Sequence, residues 1–179
     1  AYDSLFIQSG VSRVETMGEL FDYAIALANQ PLIRGNKIGI VTNAGGPGII
    51  ATDTAVRYGL NLAQFEKSTT EILKKGLPPT ANINNPVDVI GDAGTDRYEL
   101  SVKAVLNDIN VDGLLVICTP QMMTKMEDIA EIVCNNVKGS NKPVLTCFMG
   151  TGDISKTIQI LDNNKIPHYR FPETGARAL

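Results

Sequence analysis

The 179-residue sequence has no tryptophan, one histidine and three cysteines. With His168 alone, neither a histidine-rich metal site nor a Ser-His-Asp triad is easily assembled. Cys118, Cys134 and Cys147 are odd in number and lack CxxC spacing. Cys118 and Cys147 sit in apolar, strand-like runs, which reads as buried thiols in a reducing cytoplasm. There is no run of Lys and Arg, and the net charge of −3 offers no electrostatic footprint for nucleic acid or a membrane surface. The longest apolar runs, such as Gly113 to Cys118, are strand-sized and far too short to span a bilayer. Ala1-Tyr2-Asp3-Ser4 lacks the basic start and apolar core of a secretory signal. No repeat of fixed period and no low-complexity tract occurs.

What remains is ordinary globular composition, 44% apolar and 20% charged, in a chain long enough for one buried core. Met17, Leu20, Phe21, Ala24 and Leu27 recur at helical spacing and predict a helix over Val14 to Ala28, ended by Pro31. Strand-like and helix-like segments then alternate. Strands are predicted at Lys37–Thr42, Leu60–Ala63, Pro86–Ile90, Val111–Cys118, Pro143–Phe148 and Ile166–Tyr169. Helices are predicted over Ile49–Tyr58, Thr69–Lys75, from Thr95, over Met126–Val137 and Ile154–Leu161, and from Pro172 to the chain end. The Val111–Cys118 run is apolar enough to be buried on both faces. Such alternation implies βαβ units and an α/β, doubly wound, flavodoxin-like parallel sheet of about five strands in three layers. Residues 1–35 read as a linker with an N-terminal helix, and 36–179 as the domain proper.

Ligands of such sheets bind beyond the carboxyl ends of the strands, where strand order reverses. Three loops fall on that edge. Asn43-Ala44-Gly45-Gly46-Pro47-Gly48 follows the first strand, and its glycines would let backbone N–H groups approach an anion at a helix start. It matches neither GxGxxG nor a P-loop, so a tight turn and a phosphate cradle both stand as readings. Thr119-Pro120-Gln121-Met122-Met123-Thr124 follows the apolar strand; it offers hydroxyl and amide donors, and Thr124 with Glu127 spells a capping box. In Asn84 to Thr95, Asp88 and Asp92 are candidates for a metal or a carboxylate pair; the plainer reading is bonding to loop backbone and capping of the helix from Thr95. His168, beside Pro167, reads as a surface histidine.

The segment Lys37-Ile38-Gly39-Ile40-Val41-Thr42-Asn43-Ala44-Gly45-Gly46-Pro47-Gly48, followed by Ala51-Thr52-Asp53, resembles the ADP-forming acetyl-CoA synthetase (acetate–CoA ligase) family. Leu77-Pro78-Pro79, Asn85-Pro86-Val87-Asp88, Thr119-Pro120-Gln121, Phe148-Met149-Gly150 and the opening Gln8-Ser9-Gly10-Val11 with Arg13-Val14-Glu15-Thr16 and Glu19-Leu20 fit the same family. The likeness covers essentially the whole chain. The chain is also distantly similar to the carboxyl-terminal domain of the succinyl-CoA synthetase β subunit.

The resemblance implies a role in converting acyl-CoA, ADP and phosphate to acid, CoA and ATP through a phosphohistidine. Two helix amino termini, from two flavodoxin-like domains, face that phosphate. It implies phosphate-binding roles for Asn43, Gly45, Gly46, Gly48, Thr119, Pro120 and Gln121, with Asp88 on the rim. No catalytic residue or metal ligand is expected in this chain. The family's Ser-His-Thr-Gly segment, which carries the phosphorylated histidine, lies just before the point matching Ala1, so the chain is expected to be part of a longer polypeptide. ATP or ADP, Mg and CoA are expected to serve the full enzyme, with no cofactor bound in this domain. The expected partners are the CoA-binding and ATP-grasp domains, with neither nucleic acid nor membrane involved. The alternative is a non-catalytic regulatory or ligand-binding domain, as in relatives fused to an acetyltransferase.

Overall fold

A computed structural model describes residues 2–121, 124–150 and 152–179. The elements in chain order are α1 (Tyr2–Gln8), α2 (Met17–Asn29), β1 (Lys37–Thr42), α3 (Gly45–Arg57), β2 (Asn61–Leu62), α4 (Lys67–Gly76) and β3 (Val87–Asp88). They continue with α5 (Thr95–Asn107), β4 (Gly113–Cys118), α6 (Met126–Val137), β5 (Val144–Phe148), α7 (Ser155–Asn163) and α8 (Pro172–Ala178). The five-stranded sheet is parallel throughout, in the order β2-β1-β4-β5. β3 shares one edge of β1 with β2: Lys37 and Ile38 pair with β2, whereas Val41 and Thr42 pair with β3.

Period-two alternation on β4 sorts the core into two layers. Leu114, Val116 and Cys118 join Val41 and Phe148 against Leu73 of α4, Val102 of α5, Ile129 of α6 and Leu161 of α7. Leu115 and Ile117 join Ile38, Ile40 and Cys147 on the other face, against Ala26 of α2, Ala51 and Ala55 of α3 and Ala176 of α8. Both faces of the sheet are therefore covered, which is why β1, β4 and β5 read as apolar runs rather than alternating ones. This is the doubly wound, three-layer α/β fold expected.

Four local expectations change. The glycine-rich segment is not a loop before a helix at Ile49: α3 begins at Gly45. Thr42 Oγ1 accepts from Ala44 N at 3.1 Å, Gly48 N donates to Ala44 O at 3.2 Å, and Pro47 costs nothing in a first turn, where its missing N–H has no partner to lose. Ile166 to Tyr169 is not a strand. Only a bridge joins His168 to Thr146, since Pro167 has no N–H to extend a ladder. The Thr124–Glu127 box does not form: Lys125 occupies the N-cap of α6, and Thr124 Oγ1 is buried without a partner. A side-chain cap forms instead at α2, where Thr16 Oγ1 accepts from Glu19 N at 3.1 Å and Glu19 Oε2 reaches back to accept from Glu15 N at 2.8 Å. Finally, α1 was not anticipated.

The amino-terminal segment is tied to the domain. Arg177 of α8 pairs with Glu19 at 3.0 Å and Asp22 at 3.4 Å, Tyr169 Oη donates to Asp22 O at 2.8 Å, and the Gln30 side chain accepts from Val144 N at 2.8 Å.

Candidate functional site

Beyond β1 the chain turns toward β3 on one side, and β4 lies on the other, so the β1–β4 seam is the reversal of strand order. At its carboxyl end stand the two segments after β1 and β4. Asn43 joins them. Its side chain is 2% exposed and makes three hydrogen bonds to one residue. Oδ1 accepts from Thr119 N at 2.8 Å and from Thr119 Oγ1 at 3.0 Å, while Nδ2 donates to Thr119 O at 2.9 Å.

Immediately after this joint, α3 points its amino terminus at the open edge. Gly45 and Gly46 are exposed, and their N–H groups are among the first of the helix, without carbonyl partners one turn back. A Cβ at Gly46 would meet nothing within 4 Å, so the backbone there is open to approach. Gly48 is different. It is buried, and a Cβ would come within 3.0 Å of Thr42 Cγ2, so this glycine lets α3 lie close to β1.

Asp88 ends β3 beside this terminus. Its Oδ1 accepts from Ile90 N at 2.9 Å, and its Oδ2 lies 3.6 Å from the position of a Gly45 Cβ. Asp92 does not cap α5, whose N-cap is Gly94; it pairs with Arg97 at 2.6 Å, and that bond holds its carboxyl below the usual carboxylate range. Arg97 also donates to Val89 O at 3.1 Å. The two carboxylates thus have separate structural partners, and no group of three His, Cys, Asp or Glu side chains suited to a metal occurs among the described residues.

Thr119 is half-buried, whereas Pro120 and Gln121 are exposed. Gln121 Cδ lies 3.6 Å from the position of a Gly91 Cβ, and Pro120 Cγ lies 3.4 Å from that of a Gly150 Cβ, so the segments after β3, β4 and β5 meet here. Met122 and Met123 lie outside the described residues. The helix after this turn begins only at Met126 and carries Glu127 and Asp128 in its first turn. Those carboxylates already answer its dipole; α3 has no acidic residue in its first turn. Of the two helix starts, α3 is the better prepared for an external anion.

Two supporting residues were not singled out from sequence. Asn85 fills the gap between β2 and β3: Nδ2 donates to Ile38 O at 2.7 Å and Ala63 O at 3.1 Å, and Oδ1 accepts from Ile40 N at 3.0 Å. Tyr98 is fully buried in α5 and donates to Ile117 O at 2.8 Å. Asn85 had entered only as part of the Asn85-Pro86-Val87-Asp88 motif, and Tyr98 had no local signal.

All three cysteines are free and buried; burial pushes Cys118 and Cys147 up to about 12 and Cys134 up to about 11. His168 is half-buried rather than on the open surface, with Nε2 3.1 Å from Phe148 O, and burial lowers its pKa. No helix among the described residues is long and apolar enough to cross a membrane.

Residues 38–178 match the family described as the Ligase-CoA domain. The chain is 41% identical over 181 residues to the acetate–CoA ligase [ADP-forming] II subunit alpha of Pyrococcus furiosus, covering 99% of this chain and 39% of that protein. It is 46% identical to the acetate–CoA ligase [ADP-forming] of Methanocaldococcus jannaschii, covering 99% and 26% respectively. Among solved structures, one from Pyrococcus horikoshii superposes with a TM-score of 0.92 at 42% identity, over 99% of this chain and 41% of that one. The dinucleotide-forming acetyl-coenzyme A synthetase 1 of Ca. Korarchaeum cryptofilum, in complex with phosphate and ADP, gives 0.92 at 30% identity, over 99% and 39%. The chain thus spans between 26% and 41% of the length of these relatives.

Proposed function

The chain belongs to the Ligase-CoA domain family, and from that premise we propose that it is the part of an ADP-forming acid–CoA ligase that completes the phosphate site. The reaction of the whole protein takes acyl-CoA, ADP and phosphate to acid, CoA and ATP, with the phosphoryl group carried on a histidine outside this chain. In this reading 36–179 form the ligase domain and 1–35 a linker whose helix α2 is latched to α8.

One observation carries the reading: α3 opens on exposed Gly45 and Gly46 at the strand-order reversal, with its N–H groups free and no acid in its first turn. A phosphate dianion placed there would receive those N–H groups and the positive end of the helix dipole. The Thr119–Pro120 turn and the Gln121 amide flank it from the β4 side, and Asp88 closes the rim. Asn43 and Gly48 act from behind, by bonding and by packing. The complex of a relative with phosphate and ADP supports the choice of ligand. Nucleotide, Mg and CoA are assigned to the ATP-grasp and CoA-binding domains, the partners of this one. Three free, buried thiols suit a reducing cytoplasm.

The test is Gly46→Leu in the full-length protein. The fold has room for the side chain, yet it would stand where the anion approaches. Phosphoenzyme formation from labelled phosphate is expected to fall about tenfold or more, in line with the loss of a preorganised anion contact. Unchanged labelling would overturn the site.

A further inference from the structure

Asn43 was expected among the phosphate ligands, but its surroundings assign it different work. It is 2% exposed, and both acceptor positions of its carbonyl are taken by the N–H and hydroxyl of Thr119. One of its two amide hydrogens goes to Thr119 O. Asn43 and Thr119 are 76 residues apart in sequence and directly follow the two strands that flank the reversal. Among the described residues, no other side-chain hydrogen bond runs directly from the segment after β1 to the segment after β4.

We infer that Asn43 is a positioning residue that sets the spacing between the two sides of the anion site. It acts through Thr119, not by touching the anion. The inference rests on the phosphate-site reading above.

The physical argument is geometric. β1 and β4 are held in register by their ladder only as far as Thr42 and Ile117. Beyond it each chain would leave the sheet independently: Ala44 begins the turn into α3 and Pro120 the turn toward α6. The three bonds of Asn43 extend the β1–β4 seam past the last pair. They fix the Thr119 peptide and hydroxyl relative to Ala44, and therefore relative to the free N–H groups of Gly45 and Gly46. Thr42 Oγ1 completes the arrangement locally, donating to Ala44 O at 2.9 Å and accepting from Ala44 N at 3.1 Å. The N–H and hydroxyl of Thr119 are spent on Asn43, so the joint fixes the path of the chain into Pro120 and Gln121; an anion bridging Gly45, Gly46 and the Gln121 amide meets donors already at fixed separation, and little ordering remains to be done on binding. A side chain that merely filled space here would not need to match a donor, an acceptor and a hydroxyl on a single partner.

The experiment uses the full-length ligase, with kcat and the KM values for phosphate, ADP and CoA measured for Asn43→Ala, Thr119→Val, the double variant and Thr119→Ser. Asn43→Ala should raise the phosphate KM about tenfold while the ADP and CoA values stay within twofold. Thr119→Val removes one of the three bonds and should raise it about threefold; Thr119→Ser, which keeps the hydroxyl, should restore it. The double variant should be no worse than Asn43→Ala, because the hydroxyl acts through the missing amide. Additive losses would mean that Thr119 contacts the anion independently and would overturn the inference. So would a parallel rise of all three KM values, the mark of general loosening. If Asn43→Ala leaves the phosphate KM unchanged while Gly46→Leu abolishes labelling, the positioning role fails and the site stands. If Gly46→Leu also labels normally, the site itself fails. Thr119→Val keeps the question decidable should Asn43→Ala fold poorly.

Discussion

The two edges of the sheet are built on opposite principles. At the amino edge, charged groups saturate the backbone. Lys142 Nζ donates to Leu106 O at 2.8 Å and Asp108 O at 2.6 Å, the last carbonyls around the end of α5. Asp108 accepts from Glu66 N and Asn110 N, each at 2.8 Å, and Asp112 accepts from Lys37 N at 2.9 Å. At the carboxyl edge, neutral groups hold the turns. Asn43 and Thr42 make the bonds there, and the N–H groups of Gly45 and Gly46 are left facing outward. At the amino edge a charge therefore marks a closed structural joint, while the region proposed to bind an anion carries few charged side chains. The exceptions lie after β3: Asp88, whose carboxylate is held to Ile90 N at the rim, and the Asp92–Arg97 pair.

The sharpest way to break that contrast is at Asp108, which is only 2% exposed. Asp108→Ala removes the side-chain acceptor of the Glu66 and Asn110 amides, and should cost about 2–4 kcal/mol in urea unfolding. The folded fraction of the full-length protein should still label normally with phosphate. A labelling defect out of proportion to unfolding would mean that the two edges are not independent.

Two glycines give a finer comparison. A Cβ on Gly39, in the middle of β1, would run into the Val105 side chain of α5, so Gly39→Ala should destabilise by about 1–3 kcal/mol through overpacking. The open position of Gly46 means that Gly46→Ala should leave thermal stability within about 0.5 kcal/mol of the parent. A large loss at Gly46 would show that the glycine serves the fold rather than a ligand.

The smallest expected effect is at His168, which lies against Phe148 O at the end of β5. Burial, opposed in part by that carbonyl and by Asp162, disfavours its imidazolium in the folded chain. Its pKa is thus lower folded than unfolded, where it is about 6.5. The associated stability is complete above about pH 6.5 and is lost as pH falls from there through the folded value. His168→Gln should flatten the dependence of the melting temperature on pH across that interval relative to the parent. An identical slope would place the imidazole in a water-like setting.

Much of the fold was legible because the strongest signals were local. Gly113–Cys118 and Val144–Phe148 are too apolar and too short for anything but buried strands, and Met126–Val137 repeats its apolar residues at helical spacing. What failed were the places where local chemistry is ambiguous. Gly45-Gly46-Pro47-Gly48 looks like a helix breaker, yet a first turn tolerates both residue types. Thr124 and Glu127 have the spacing of a cap, but that spacing does not determine where the backbone turns. The site was legible only as a set of loops. Neither the Asn43–Thr119 joint nor the insertion of Asn85 between β2 and β3 has any local pattern, because each depends on strands that meet only after the chain has crossed the sheet.

By itself, the sequence determined the alternation of strands and helices, the burial of its thiols and the three segments that end at one edge. Periodicity and residue chemistry suffice for these, since each is settled within a few neighbouring residues. Tertiary structure alone decided that α3 rather than α6 presents the more receptive amino terminus. It also decided that Asp92 belongs to Arg97, and that Asn43 faces Thr119 instead of solvent. Those outcomes turn on which groups reach hydrogen-bonding distance across the sheet, and only packing of the β1–β4 seam brings them there.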